Sequence, residues 1–142
     1  MTAPYFIDTW GWLALGNRRD AYHDEIKSFY ARLQSDGVGI YTSDYVLDEL
    51  VTILFRRESV RQAQSFMEGI LKGSATGKLI IERITSERFS LAWKLRDKYR
   101  DKPFISFTDL TSMVVMEQRR IKRIITRDDH FLQVGMEFVI EP

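Results

Sequence analysis

The sequence predicts a single-domain three-layer α/β/α sandwich with a central, mainly parallel sheet over residues 1–142. Two observations predict it. Short apolar runs of strand type alternate along the chain with longer segments whose apolar residues recur at helical spacing. The connections between strands contain helices, and parallel strands require such crossovers. A hydrophobic fraction of 44% in 142 residues is typical of one globular domain.

The predicted strands are five short apolar runs bounded by turn residues. They cover residues 5–7, 38–42, 79–81, 123–126 and 136–140. The first run is followed at once by Asp8, which interrupts the apolar and aromatic segment of residues 4–16. Burying a carboxylate there costs several kcal/mol unless the group has a partner. The first question that the sequence raises is therefore which partner Asp8 has.

The predicted helices are marked by apolar residues three and four positions apart. The inward faces are predicted from Tyr22, Ile26, Phe29, Tyr30 and Leu33; from Val46, Leu47, Leu50, Ile53 and Leu54; from Val60, Ala63, Met67, Ile70 and Leu71; and from Phe89, Ala92, Trp93 and Tyr99. Residues 106–120 form a further predicted helix. Ser43 is predicted to cap the second helix, and Thr85 or Ser86 to begin the fourth, which is broken before Pro103.

Composition excludes several classes of protein. The chain has no cysteine, so disulfides, zinc–thiolate sites and cysteine nucleophiles are absent. No run approaches the roughly eighteen apolar residues that span a bilayer. The first apolar segment lacks a basic leader and contains Asp8, so we interpret it as part of the fold and expect a cytoplasmic protein with no membrane contact.

Four acidic residues are predicted to share one edge of the sheet, because ligands of parallel sheets bind outside the carboxyl ends of the strands. Asp8 follows the first strand, Glu49 lies in the helix after the second, and Asp128 follows the fourth. Asp109 lies in the first turn of the helix that eventually follows the third strand. The four residues come from distant segments of the chain, so their convergence is a prediction about tertiary structure.

Each acid also has a purely structural interpretation. Asp8 and Asp128 could cap a helix or a turn, and Ser106 with Asp109 fits a capping box. Glu49 could be a solvated helix residue, although it lies at the edge of the apolar stripe. The neighbouring Asp48 is expected in solvent, and Asp129 competes with Asp128 for its role.

Convergence of the four acids would require a cation. Two carboxylates about 5 Å apart repel by about 3 kcal/mol at an effective dielectric near 20, and a domain has only about 5–15 kcal/mol of stability. Either some of the acids keep their protons or a cation lies among them. Oxygen ligands without cysteine favour a hard ion, Mg²⁺ or Mn²⁺.

With these acids identified, the whole chain resembles PIN-domain proteins of the VapC type, the toxins of toxin–antitoxin pairs. The resemblance rests on four motifs, which are FIDTWGWLAL with Asp8, TSDYVLDELVTIL with Glu49, ISFTDLTSMVVM with Asp109, and ITRDDHFLQVGMEFV with Asp128. In the last motif, His130, Phe131 and Gly135 also follow the family pattern.

The resemblance implies a metal-dependent ribonuclease in which Asp8, Glu49, Asp109 and Asp128 bind one or two Mg²⁺ or Mn²⁺ ions. Paired ions can activate a water and stabilise the leaving oxygen of a phosphodiester, with no covalent protein intermediate. The resemblance further implies an RNA substrate, a small antitoxin partner and a homodimer. Small polar residues that match the family pattern would support the acids, namely Ser106, Thr108 and Thr126.

Other signals leave alternatives open. The basic run of Arg119, Arg120, Lys122 and Arg123, like the pair Arg56 and Arg57, is either a solvated face or a contact for RNA phosphates. His23 and His130 are interpreted as structural or solvent-facing, and Trp10, Trp12 and Trp93 as core residues and not base-stacking ones. The alternative function is a PIN-fold binding module with little turnover.

Overall fold

The sheet has five strands, all parallel. A computed structural model describes residues 3–142. Its strands are β1 (Tyr5–Ile7), β2 (Ile40–Ser43), β3 (Ile80–Glu82), β4 (Arg123–Ile125) and β5 (Val139–Ile140), in the spatial order β3-β2-β1-β4-β5. The predicted fold class is confirmed, and each predicted strand is present with its ends displaced by a few residues.

Six α-helices flank the sheet. They are α1 (Thr9–Gly16), α2 (His23–Ser35), α3 (Asp44–Arg57), α4 (Val60–Ala75), α5 (Ser86–Lys98) and α6 (Phe107–Arg119), and a 3₁₀ helix covers Asp129–Leu132. Serine and threonine caps begin four of them, because a side-chain oxygen accepts an otherwise unpaired backbone N–H. The predicted cap by Ser43 is confirmed, and Thr85 is the residue that caps α5.

The order of the strands reverses between β1 and β4. The chain runs outward from β1 through β2 to β3 and then returns past them to form β4 on the other side of β1. Right-handed crossovers in opposite directions place their helices on opposite faces of the sheet. The carboxyl ends of β1 and β4 therefore form a topological switch point, where open α/β sheets bind ligands.

The centre of the sheet is apolar and buried. Phe6, Ile7, Ile124 and Ile125 are fully buried between the two layers of helices. The indole N–H of Trp12 donates to Thr42 Oγ1 at 3.0 Å, and this hydroxyl donates to the carbonyl of Ile7 at 2.9 Å. These bonds tie α1 and β2 to the end of β1, just before Asp8.

Several predicted inward residues are exposed. On α5, Phe89 and Trp93 are 44% and 64% exposed, although Ala92 and Tyr99 are buried as predicted. The interpretation of Trp93 as a core residue is wrong, because successive helix residues are about 100° apart and Ala92 occupies the inward direction. Val60 and Leu71 on α4 are exposed for a similar reason, since Ala63, Met67 and Ile70 form the buried face. Among residues 3–142, no helix is long and apolar enough to cross a membrane.

Candidate metal centre

Asp8 lies at the switch point and is buried. Its exposed fraction is 5%, and it follows β1 directly as the N-cap of α1. Oδ1 accepts the N–H of Gly11 at 3.2 Å, and Oδ2 accepts the hydroxyl of Thr126 at 2.6 Å. The capping role considered for Asp8 is confirmed, and it uses only part of the carboxylate's capacity to accept hydrogen bonds.

The pKa of Asp8 is raised to about 7. Burial is the largest cause, and the negative charges of Asp109 and Asp128 add to it, whereas the hydrogen bonds from Thr126 and Gly11 act in the opposite direction. Geometry links Asp8 to Asp128 through the Thr126 hydroxyl, which contacts the Asp8 carboxylate and the backbone N–H of Asp128. Within residues 3–142 the ligand atoms that lie within 4.8 Å of one another belong to Asp109, Asp128 and His130, so the role of Asp8 as a ligand stays a prediction.

Thr126 joins two of these acids. The pairing of β1 with β4 matches Ile7 to Ile125, so the residues that follow them, Asp8 and Thr126, are also opposite each other. The Thr126 hydroxyl donates to Asp8 and accepts the N–H of Asp128 at 2.9 Å. One buried side chain thus fixes the spacing between the ends of two strands.

Asp109 is positioned by the start of α6. The hydroxyl of Ser106 accepts the Asp109 N–H at 3.0 Å, which confirms Ser106 as the cap. The pKa of Asp109 is raised to about 7, chiefly by burial and then by the charge and hydrogen bond of Asp128, while His130 opposes the shift. In the side-chain hydrogen bonds of residues 3–142, the Thr108 hydroxyl does not contact any of the acids. The backbone carbonyl of Thr108 accepts the Thr111 hydroxyl at 2.6 Å.

Asp128 caps the 3₁₀ helix, and its Oδ1 accepts the N–H of His130 at 2.9 Å. The Nδ1 atom of His130 also lies 2.9 Å from this oxygen and 3.4 Å from Oδ2 of Asp109. One ligand atom from each of Asp109, Asp128 and His130 lies within 4.8 Å of the other two, and within residues 3–142 this is the group that could hold a metal ion.

The sequence interpretation of His130 as structural or solvent-facing missed its position in this group. The available signal was its spacing of two residues from Asp128 in the motif DDHF. As the N-cap, Asp128 turns its side chain over the first turn of the 3₁₀ helix, where its Oδ1 accepts the His130 N–H. The other histidine, His23, is structural as predicted, since its Nδ1 lies 2.8 Å from the carbonyl of Ala14.

Glu49 lies outside the group of atoms that could hold a metal ion in the described chain. It is half-buried in the second turn of α3, which begins at the carboxyl end of the neighbouring strand β2. Its neighbour Asp48 is exposed, as predicted, and so is Asp129 beside Asp128. The role of Glu49 as a ligand stays a prediction.

The donor set fits a hard divalent ion. Burial and neighbouring carboxylates raise the pKa of both Asp8 and Asp109. A cation beside these acids would offset the repulsion between their negative charges, which burial makes stronger. Carboxylate oxygens are the preferred ligands of Mg²⁺ and Mn²⁺. Among the ion pairs of residues 3–142, Asp109 and Asp128 are each paired with His130 and not with a lysine or an arginine.

Three residues of the basic run make local contacts with the rest of the chain. Arg119 forms an ion pair with the buried Glu82 at the end of β3, and Arg88 lies 3.5 Å from the same carboxylate. Lys122 donates to the carbonyl of Met136 at 2.9 Å, and Arg123 lies over the ring of Tyr5. All four basic side chains of the run are exposed, so the solvated face and the contact with RNA phosphates both stay open.

The family profile of the PIN domain matches residues 5–136 of this chain. A curated relative, "23S rRNA-specific endonuclease VapC20" of Mycobacterium tuberculosis, is 32% identical over 130 residues, which are 92% of this chain and 93% of that protein. The same protein from a second strain of that species matches equally.

Solved structures agree with this assignment. The crystal structure of VapC20 from M. tuberculosis, described as a sarcin–ricin loop cleaving toxin, superposes with a TM-score of 0.78 at 32% identity over 95% of this chain and 96% of that one. VapBC2 from Rickettsia felis, bound to a DNA fragment from its promoter, gives a TM-score of 0.73 at 19% identity and covers 96% of both chains. At that identity the second likeness shows the fold alone.

Proposed function

The chain belongs to the PIN domain family, and we propose that it is a metal-dependent endoribonuclease that acts as the toxin of a toxin–antitoxin pair. The observation that carries the proposal is the group of acids at the switch point. Asp8, Asp109 and Asp128 come from three distant segments; the charges of Asp109 and Asp128 contribute to the raised pKa of Asp8, and the pKa values of Asp8 and Asp109 are both about 7. Strongly perturbed pKa values cluster at functional sites.

The ligands of the ion would be Asp8, Glu49, Asp109 and Asp128, with Mg²⁺ or Mn²⁺ as the cofactor. The bound ion would supply Lewis-acid chemistry, which activates a water and neutralises charge on the phosphodiester. Thr126 holds Asp8 and Asp128 at a fixed spacing, and the start of α6 orients Asp109. Hydrolysis joins the water oxygen to phosphorus and breaks the bond to the leaving ribose oxygen, which takes a proton.

Ribosomal RNA is the first substrate class to test. VapC20 is a 23S rRNA-specific endonuclease by its name and is 32% identical to this chain over nearly its whole length. We further propose a small antitoxin protein as partner, a homodimer, and action in the cytoplasm. The likeness in fold to VapBC complexes supports the antitoxin partner.

The decisive experiment is cleavage of RNA by the purified protein with Mg²⁺, with Mn²⁺ and with EDTA, for the wild type and for Asp8→Asn. We expect cleavage that requires the metal and that falls by more than about 100-fold in Asp8→Asn. Loss of a residue that only supports the metal ligands usually lowers activity by about 10- to 100-fold, so a larger decrease would indicate a direct ligand. The Asn side chain can still accept the Gly11 N–H, so a change of only about 1 kcal/mol in unfolding free energy is expected.

The control is Asp129→Asn, which changes an exposed acid next to Asp128 and should cleave at the wild-type rate. Cleavage by Asp8→Asn as fast as by wild type would contradict the site assignment. Binding of metal without cleavage of any RNA would favour the alternative, a binding module with little turnover.

A further inference from the structure

We propose that the imidazole of His130 is a nitrogen ligand of the divalent ion and that it makes the site favour Mn²⁺ over Mg²⁺. The inference rests on the proposed function, because it concerns the ion that this function requires. It adds a ligand to the four acids predicted from the sequence, and its test does not depend on RNA cleavage.

The position of His130 is fixed by its neighbours. Phe131, the next residue, is almost fully buried and packs edge-on against Phe138 with ring centroids 6.2 Å apart. The N–H of His130 donates to Oδ1 of Asp128. In this position the ring of His130 faces the carboxylates of Asp128 and Asp109.

The distances match those between ligands of one ion. Nδ1 of His130 lies 2.9 Å from Asp128 and 3.4 Å from Asp109, and all three ligand atoms lie within 4.8 Å of one another. Ligand atoms about 2.1 Å from an octahedral ion are about 3 Å apart when adjacent and about 4.2 Å apart when opposite. The three atoms could therefore bind one ion after small side-chain rotations.

The exposure of the three groups leaves a path for the ion. The side chain of Asp109 is 12% exposed, that of His130 26% and that of Asp128 33%, so the group opens from the interior towards solvent. Neutral imidazole is a common metal ligand at physiological pH.

The chemistry of the ligands predicts which ion the site binds more tightly when His130 takes part. Mg²⁺ prefers oxygen ligands and retains several waters, so replacing a water by a nitrogen ligand gives it little. Mn²⁺ shares the oxygen ligands of Mg²⁺ and is the weakest binder among the first-row divalent ions, but as a transition ion it gains more from an imidazole nitrogen than Mg²⁺ does. An imidazolium that only balanced the charge of the two acids would instead oppose both ions equally.

The experiment is electron spin-echo spectroscopy of Mn²⁺ bound to the metal-free protein, with Mn²⁺ and Mg²⁺ affinities measured by calorimetry. The chain has only two histidines, so His23→Ala is a matched control. We expect modulation from an imidazole nitrogen in wild type and in His23→Ala and its loss in His130→Ala. The Kd for Mn²⁺ should rise by about 10-fold or more in His130→Ala, and that for Mg²⁺ by less than about 3-fold.

Absence of the nitrogen modulation in wild type would overturn the inference and leave the nuclease proposal intact. An equal loss of affinity for both ions in His130→Ala would overturn it too, because it would mean that the imidazole only orients Asp128. Failure of wild type to bind either ion would contradict the proposed function itself. The spectra of wild type and His23→Ala decide the question even if His130→Ala does not fold.

Discussion

Asp8 and Asp109 retain protons in the folded chain to a pH well above the usual range for aspartate. Burial is the largest cause for both, and the like charge of Asp128 contributes. Their pKa values are about 7, against 3.8 without these surroundings. The folded state therefore binds more protons than the unfolded state between about pH 4 and about pH 7.

The consequence is a predicted dependence of metal stabilisation on pH. A raised carboxyl pKa means that the free energy of unfolding of the metal-free protein falls as pH rises through this interval. A bound cation favours the deprotonated acids, so the increase in Tm caused by saturating Mn²⁺ should be larger at about pH 8 than at about pH 5. Differential scanning calorimetry at both pH values checks this.

The variant Asp129→Asn should show the same pH dependence as wild type, because this acid is exposed and lies outside the group. An increase in Tm that is equal at the two pH values would mean that the ion binds without displacing the protons of Asp8 and Asp109.

At the scale of elements, the cap of α6 positions an acid of the site. Ser106 accepts the Asp109 N–H at 3.0 Å, and Ser59 accepts the Gln62 N–H at 3.2 Å at the start of α4, outside the metal site. We expect Ser106→Ala and Ser59→Ala each to lower the unfolding free energy by about 1 kcal/mol. Only Ser106→Ala should also weaken Mn²⁺ binding, because only that cap holds a predicted ligand.

Chemical denaturation and calorimetric Mn²⁺ titration of the two variants provide the comparison. Equal Mn²⁺ affinities in both would show that Asp109 keeps its orientation without the Ser106 hydroxyl.

The close contact of α1 with the sheet leads to a second prediction at this scale. A Cβ atom on Gly11 would lie 2.9 Å from the carbonyl oxygen of Ile125 and 2.9 Å from Cγ2 of Ile7. We expect Gly11→Ala to destabilise the fold by about 1–3 kcal/mol through overpacking. It should also reduce cleavage, because the Gly11 N–H that binds Asp8 must move.

The control is Gly69→Ala in α4, where a Cβ atom would meet nothing within 4 Å. Alanine is the better helix former there, so this variant should gain up to about 1 kcal/mol in thermal or denaturant unfolding. Stabilisation by Gly11→Ala would mean that α1 can move away from β4 without cost.

For the whole molecule, exposed aromatic residues on one side support the proposed homodimer. Trp93 on α5 is 64% exposed, and Phe104 before α6 is 87% exposed. Trp93 and Pro103 line the same shallow depression. The depression is also lined by Arg96, Asp97 and Arg100, so this candidate surface combines exposed apolar rings with charged groups.

Trp93→Ser should raise the dissociation constant of the proposed dimer by about 10³-fold. Each subunit would lose about 2 kcal/mol of binding free energy from the buried ring, and a symmetric interface contains two such rings. Sedimentation equilibrium measures the change. Val60→Ser, which changes an exposed residue on α4, is the control and should leave the dimer constant unchanged. A dimer that is insensitive to Trp93→Ser would place the interface elsewhere.

Much of this architecture could be predicted from local patterns. The apolar runs located every strand, and the cap residues Ser43 and Ser106 located the starts of two helices, because both signals depend on neighbouring residues. The position of Asp8, Asp109 and Asp128 just after strands or at a helix start also followed from the sequence. The inward directions of Trp93 and Leu71 were predicted wrongly, since apolar character alone does not specify which arc of a helix meets the sheet.

Tertiary structure alone decided which ends of the strands meet. The adjacency of β1 and β4 depends on a long crossover, and it brings Asp8 to Thr126 across 118 positions of sequence. The same packing directs His130 towards Asp109 and pairs Arg119 with Glu82. Spacing along the chain cannot predict such contacts, because each depends on how distant elements pack and not on the periodicity of any one of them.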